Sequence, residues 1–133
     1  MALDNIMQTW DDQFKGTMET PTGKTILGDQ ENGIYPYHLM FGAIGSCFYS
    51  TFLSIAKKKR LSFDKATLEV SGNKGTGKEV NLLEKVIIKL IITNPSNEKG
   101  LAKSADWGTR FCSIHEMVSR IADIELIVEF NKE

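Results

Sequence analysis

From Gly33 to Ala56 the chain carries no formally charged residue. A run of that length can either cross a bilayer or form a helix that a folded protein buries on most of its surface. Pro36, His38, Ser46, Ser50, Thr51 and Ser54 interrupt it, and polar groups are expensive inside lipid. The expected outcome is therefore a core helix and no membrane insertion. Pro36 sits where it can open that helix. Lys57, Lys58, Lys59 and Arg60 sit at its end, where cations complement the helix dipole. The stretch HLMFGAIGSCFYSTFLSIAKKKR thus reads as one helix of about six turns.

A helix this apolar needs more cover than the remaining elements supply. Before it, NIMQTWDD, FKGTMET and KTILGD read as two or three modest strands joined by turns. After it, Ala66, Leu68 and Val70 alternate with polar neighbours, which is the period of a strand. The returning strand LLEKVIIKLIIT places Val86, Ile88, Leu90 and Ile92 on one face. Lys85, Ile87, Lys89 and Ile91 fall on the other, so that face is also partly covered. Residues 97–120 read as helical with a break near Trp107-Gly108. IELIVEF closes the chain as a strand with Ile124, Leu126, Val128 and Phe130 turned inward. Strands in hairpins with helical segments between them point to an α+β fold with a mostly antiparallel sheet rather than a parallel βαβ sheet. At 133 residues one domain, 1–133, is expected. A second subunit is the natural cover for the helix, so a homodimer is expected.

Charge narrows the partners. A net charge of −1 and a pI near 6.1 create no basic field, so no nucleic-acid partner is expected. The N-terminus MALDNIMQTWDDQ has neither a positive leader nor an apolar segment, so a cytoplasmic location is expected. In that reducing compartment two cysteines are usually thiols and are too few for a disulfide scaffold.

Several patterns fall short of a site. GNKGTGK at Gly72–Lys78 has P-loop spacing, but Glu79 replaces the magnesium-binding hydroxyl residue and a strand follows, so a hairpin turn is the better reading. His38 and His115 show no metal-ligand spacing with the cysteines, and no metal site is expected. Ser46 in GAIGSCF lacks the GxSxG elbow. A Cys/His hydrolase needs only a meeting in space, which spacing does not test. Cys47 lies in the apolar helix among Gly42, Ala43, Gly45 and Ser46, and Cys112 lies in TRFCSIHE beside the helical break. On spacing alone the simplest reading of both is a small buried hydrophobe.

Taken jointly, PYHLMFGAIGSCF, the strand KATLEVSG, the strand KVIIKLIIT and CSIHEMVSRIADIELIVEF resemble the OsmC family, which includes the organic hydroperoxide resistance (Ohr) proteins. The shared features are a proline ahead of a cysteine in a small-residue-rich helix and a second cysteine opening a short helix before the last strand. The resemblance runs from Gly33 to the C-terminus. It implies an intertwined homodimer around long buried central helices, with sites at the subunit interface. It also implies that Cys47 is the peroxidatic and Cys112 the resolving cysteine of a thiol-dependent hydroperoxide reductase. That activity needs no bound cofactor and is reset by an external dithiol, possibly of the lipoyl type. Two departures stand out. Ohr-type members carry a glutamate where this chain has Tyr37, and an arginine in the N-terminal strands, whereas no arginine precedes Arg60. Those departures keep open a non-catalytic dimer that binds a small hydrophobic ligand. A hotdog-like thioesterase, which also wraps a long helix in a sheet, is the other alternative, although residues 33–56 contain no catalytic carboxylate.

Overall fold

The computed structural model describes residues 1–133, whose elements run β-β-β-α-β-β-α-α-β. They fall into two compact units, Met1–Met40 and Phe41–Glu133. The fold is α+β, with two three-stranded sheets and three helices.

In the first unit β1 (Met7–Trp10), β2 (Lys15–Thr20) and β3 (Gly23–Gly28) form an antiparallel meander in that order, so of the two or three modest strands expected there are three. Gly28 has a φ of 89°, and a Cβ there would collide with the Phe14 carbonyl, so the strand end requires glycine. Trp10 stacks on Phe14 and Phe14 meets the edge of Tyr35.

The long helix is α1 (Pro36–Lys58), as the uncharged run dictates. It is the one helix long and apolar enough to cross a membrane by length and composition. Its buried residues in the second unit, Ile44, Gly45, Phe48, Phe52 and Ala56, recur almost every fourth position and make one stripe. Gly42, Ser46, Ser50 and Ser54 are exposed. Within one chain the helix is therefore covered on one side and not all round.

The covering sheet is β4 (Lys65–Lys74), β5 (Leu83–Thr93) and β6 (Asp123–Asn131), in that order. β4 and β5 form the antiparallel hairpin, and the Gly/Lys segment GNKGTGK runs through its turn region. Val86, Ile88, Leu90 and Ile92 are fully buried, while Lys85, Ile87, Lys89 and Ile91 are half-covered. β6 pairs with β5 in parallel, the one parallel pairing beside three antiparallel ones, so strand pairing is mostly antiparallel as expected. The connection between β5 and β6 contains α2 (Glu98–Arg110) and α3 (Ser113–Ser119), long enough to cross over and return alongside.

The helical break also differs from its expected place. Trp107-Gly108 lies inside α2, and the chain breaks at Phe111-Cys112. Glycine here serves packing and not termination. A Cβ on Gly108 would lie 3.2 Å from Phe48 and Phe52 side-chain atoms of α1, so the bare backbone lets the two helices close. Gly45 does the same toward β4, where Val70 would be 3.0 Å from an added Cβ.

The end of α1 is fixed by a Schellman motif. The Leu61 amide bonds the Ala56 carbonyl at 2.9 Å, and the Arg60 amide bonds that of Lys57 at 3.0 Å. Leu61 then packs against Gly100 in the first turn of α2. The motif puts Arg60 at φ 58°, a conformation that is unfavourable for a residue with a Cβ. Replacing Arg60 by glycine should therefore stabilise the protein, by up to about 1 kcal/mol after the greater chain entropy of glycine is subtracted. Chemical denaturation of the two proteins would measure it; a destabilised Arg60→Gly variant would mean that the arginine side chain contributes more than its backbone strain removes.

Candidate functional site

Cys47 sits midway along α1 and Cys112 at the junction of α2 and α3. The three helices bring them together: the Cys112 Sγ–H donates to Cys47 Sγ at 2.7 Å. Both are free thiols, separated by little more than a disulfide bond of about 2.05 Å. Phe48, the neighbour of Cys47, is one of the two side chains that Gly108 faces. The glycine contact thus sets the helix spacing beside the two sulfurs.

The two thiols are not equivalent. Cys112 is only 1% exposed, whereas Cys47 is half-buried. Burial, and then the hydrogen bond given to Cys47, push the Cys112 thiol up from its ordinary value near 9 to about 11; the backbone amides of His115 and Ile114 oppose that rise. Cys112 is also the N-cap of α3, its sulfur accepting the His115 N–H at 3.4 Å, in place of the hydroxyl or carboxylate that usually fills this position. Because folding favours the protonated thiol, this group's contribution to stability is complete below about pH 9 and is lost as the pH rises toward 11.

The other candidates lie elsewhere. His38 Nδ1 accepts the Tyr35 backbone N–H at 3.0 Å, satisfying a free amide at the start of α1. His115, in α3, has its side chain held below the ordinary histidine range by burial, against the opposing pull of Glu116. No three His, Cys, Asp or Glu side chains converge in a group that could hold a metal ion. Arg110, two residues before Cys112, turns to Asp106 at 3.3 Å, and no lysine or arginine side chain hydrogen-bonds either sulfur. In the first unit Lys24 pairs with Glu19.

A groove of about 620 Å³ begins one turn along α1 from Cys47. Ser50, Thr51, Ser54 and Ile55 line it, Trp107 and Phe111 of the α2 end wall it, and Lys58 and Lys59 close it. Trp107 and Phe111 have their ring centroids 5.9 Å apart. Lys59 Nζ stands 5.4 Å from the centroid of the Trp107 ring, within cation–π range. In the sequence Lys58 and Lys59 read as helix-end cations, Ser50, Thr51 and Ser54 as polar interruptions of the helix and Trp107 as part of a helical break, and none of them reads as part of a site. Thr51, Ser54, Ile55 and Lys58 follow Cys47 at spacings of three and four, as do Trp107 and Phe111 on α2, and that period is the signal that could have grouped them.

The chain matches a known family. The model of the OsmC-like proteins matches residues 28–127, and the chain belongs to that family. None of the curated proteins matches the sequence. Among solved structures, a hypothetical protein from Aquifex aeolicus superposes with a TM-score of 0.88 at 23% identity, covering 100% of this chain and 99% of its own. An OsmC-like protein from Mycoplasma pneumoniae gives 0.84 at 16% identity and covers 97% of each chain. An organic hydroperoxide resistance protein OsmC from Legionella pneumophila gives 0.74 at 16% identity, covering 97% of this chain and 98% of its own.

The helix spacing at the cysteines makes a direct prediction. Gly108→Ala places a methyl group 3.2–3.3 Å from Phe52 Cβ and Cα as well as the Phe48 ring, and the Phe52 backbone cannot swing aside. It should cost about 1–3 kcal/mol by overpacking and slow oxidation of Cys47 and Cys112 to a disulfide. Denaturant titration and thiol titration after mild oxidation would read the two effects; an unchanged oxidation rate would show that this contact does not set the sulfur spacing.

Proposed function

We propose that the protein reduces organic hydroperoxides, with Cys47 as the attacking thiolate and Cys112 as the resolving thiol. The observation that carries this reading is the 2.7 Å contact in which the Cys112 S–H hydrogen-bonds to Cys47 Sγ. Family membership and the organic hydroperoxide resistance proteins among the similar structures support it.

The cycle follows from the asymmetry of the two sulfurs. The Cys47 thiolate attacks the distal oxygen of ROOH; the O–O bond breaks and RO⁻ leaves, taking up a proton as ROH, while Cys47 becomes a sulfenic acid. Cys112, kept protonated by burial, then attacks that sulfur. Its proton leaves with the hydroxyl as water and the Cys47–Cys112 disulfide forms. An external dithiol, of lipoyl type or similar, restores both thiols and is itself oxidised to a disulfide. It attacks Cys47, the more exposed sulfur, because Cys112 is closed to solvent. The departing Cys112 thiolate has the His115 N–H already directed at it. The uncovered face of α1, where Gly42 and Ser46 are exposed, is the surface on which a second copy would pack, since small residues permit close helix approach. The protein acts in this reading as a cytoplasmic homodimer. No arginine or lysine hydrogen-bonds the sulfur pair, so the expected rate is modest.

A stoichiometric organic hydroperoxide added to the reduced protein should consume both thiols and lower the mass by about two daltons as the disulfide forms. Cys47→Ser should abolish hydroperoxide consumption, because a hydroxyl does not ionise near neutral pH. Cys112→Ser should complete one turnover and stop as a sulfenic acid that a dimedone-type probe traps at Cys47. Two free thiols persisting in the treated wild type would sink the reductase reading, and a first turnover lost in Cys112→Ser but kept in Cys47→Ser would reverse the roles.

A further inference from the structure

We infer that Cys47 and Cys112 together form a binding site for a trivalent arsenical, an uncharged arsenic(III) hydroxide or oxide held by two As–S bonds. The site belongs to the reduced pair alone and stands whether or not the protein is a reductase. Distance is the first requirement. The two sulfurs lie 2.7 Å apart and both are free, so a single atom can bond both at once. How far the pair must open depends on the bond angle at that atom. At a bond length of about 2.3 Å, a linear centre sets its sulfurs about 4.6 Å apart and a tetrahedral one about 3.8 Å. Trivalent arsenic is pyramidal with its bonds near right angles, which at a similar bond length puts the sulfurs about 3.3 Å apart. Arsenic therefore asks for the smallest movement of two helices that close tightly at Gly108 over the buried Phe48 and Phe52. The Cys112 side chain is held as well by the His115 N–H that its sulfur accepts. A tetrahedral metal also needs further ligands, and no third His, Cys, Asp or Glu joins the pair in a group that could hold a metal ion.

The second requirement concerns protons. The hydrogen bonds at the two sulfurs come from the Cys112 thiol and the His115 backbone amide, and burial first of all raises the Cys112 thiol to about 11. A bare metal ion must expel both thiol protons into water from this dry pair. Arsenous acid brings hydroxyl groups that take them up. Cys47, the more exposed sulfur, bonds to arsenic first; an As–O bond breaks, and the hydroxyl leaves with the Cys47 proton as water. The Cys112 sulfur, already in contact, then displaces a second hydroxyl, which takes the Cys112 proton and leaves as water. Arsenic stays trivalent throughout, nothing is oxidised or reduced, and the product is as uncharged as the reactants. A small uncharged ligand thus enters where burial resists charge. Once seated it holds both sulfurs, and the disulfide can no longer form.

Arsenite added to the reduced protein in thiol-free buffer should give a one-to-one adduct in native mass spectrometry and consume both titratable thiols. Cys47→Ser and Cys112→Ser should each bind it about a hundred-fold more weakly, because a single As–S bond lacks the gain of the second. Serine is a good helix N-cap, so Cys112→Ser should keep α3. The wild-type disulfide form, in which no residue is changed, should bind no arsenic, and equimolar zinc(II) should not displace arsenic from the reduced form. Wild-type affinity surviving in Cys112→Ser or in the disulfide form would overturn the inference, as would displacement by equimolar zinc. Reduced wild type that forms a disulfide with hydroperoxide but takes up no arsenic would overturn this site alone. Arsenic bound by a protein that consumes no hydroperoxide would retire the reductase reading and leave the site standing.

Discussion

The absence of a side chain at Gly108 governs how α2 lies on α1, and the geometry of the site descends from that contact. The backbone of α2 approaches Phe48 and Phe52 so closely that even a methyl group would be 3.2 Å from them. Both rings are fully buried, so they form a fixed surface and not one that yields. Once α2 is seated, the chain has only Phe111 before it must turn into α3. Cys112 is the residue at that turn, and Cys47 is the neighbour of Phe48. Proximity of the sulfurs is thus a consequence of core packing.

That origin explains the electrostatics of the pair. A site assembled from core residues is dry, and a dry thiol keeps its proton. Cys112 obeys this rule, pushed to about 11 chiefly by burial. What reaches Cys47 in place of a basic side chain is the S–H of Cys112. A hydrogen bond from a neutral donor stabilises an anion less than an ion pair does. In the proposed cycle this makes the resolving thiol also the partner of the nucleophile.

The fold was legible in the sequence wherever a period was strong. The alternations at Ala66–Val70 and Val86–Ile92 gave the two strands and their buried faces, and the uncharged run gave α1. The parallel pairing of β5 with β6 was not legible, because a period of two fixes faces and says nothing of direction. The break beside Cys112 was misplaced for a definable reason: a glycine in a helical pattern signals a stop unless another helix is packed against it, and that neighbour is far away in sequence. Cys47 and Cys112 stood out only through the resemblance. Their own spacing, 65 positions apart, carries no local signal. Lys58 and Lys59 read in the sequence as helix-end cations and Trp107 as part of a helical break, and only placing α1 and α2 side by side brings them to one groove with Phe111.

The same helix pairing links the two functional features. α1 contributes Cys47 at its middle and the lysines at its end; α2 contributes the aromatic walls and delivers Cys112 just past its terminus. Two rigid helices joined at Gly108 and at the Leu61–Gly100 contact therefore fix the distance of the aromatic walls and of Cys112 from α1. A site carried on helices holds such a distance better than one carried on loops. The chain lacks the charged pair of Ohr-type members near its cysteine but keeps a cluster of cations, Lys57–Arg60, about three turns away.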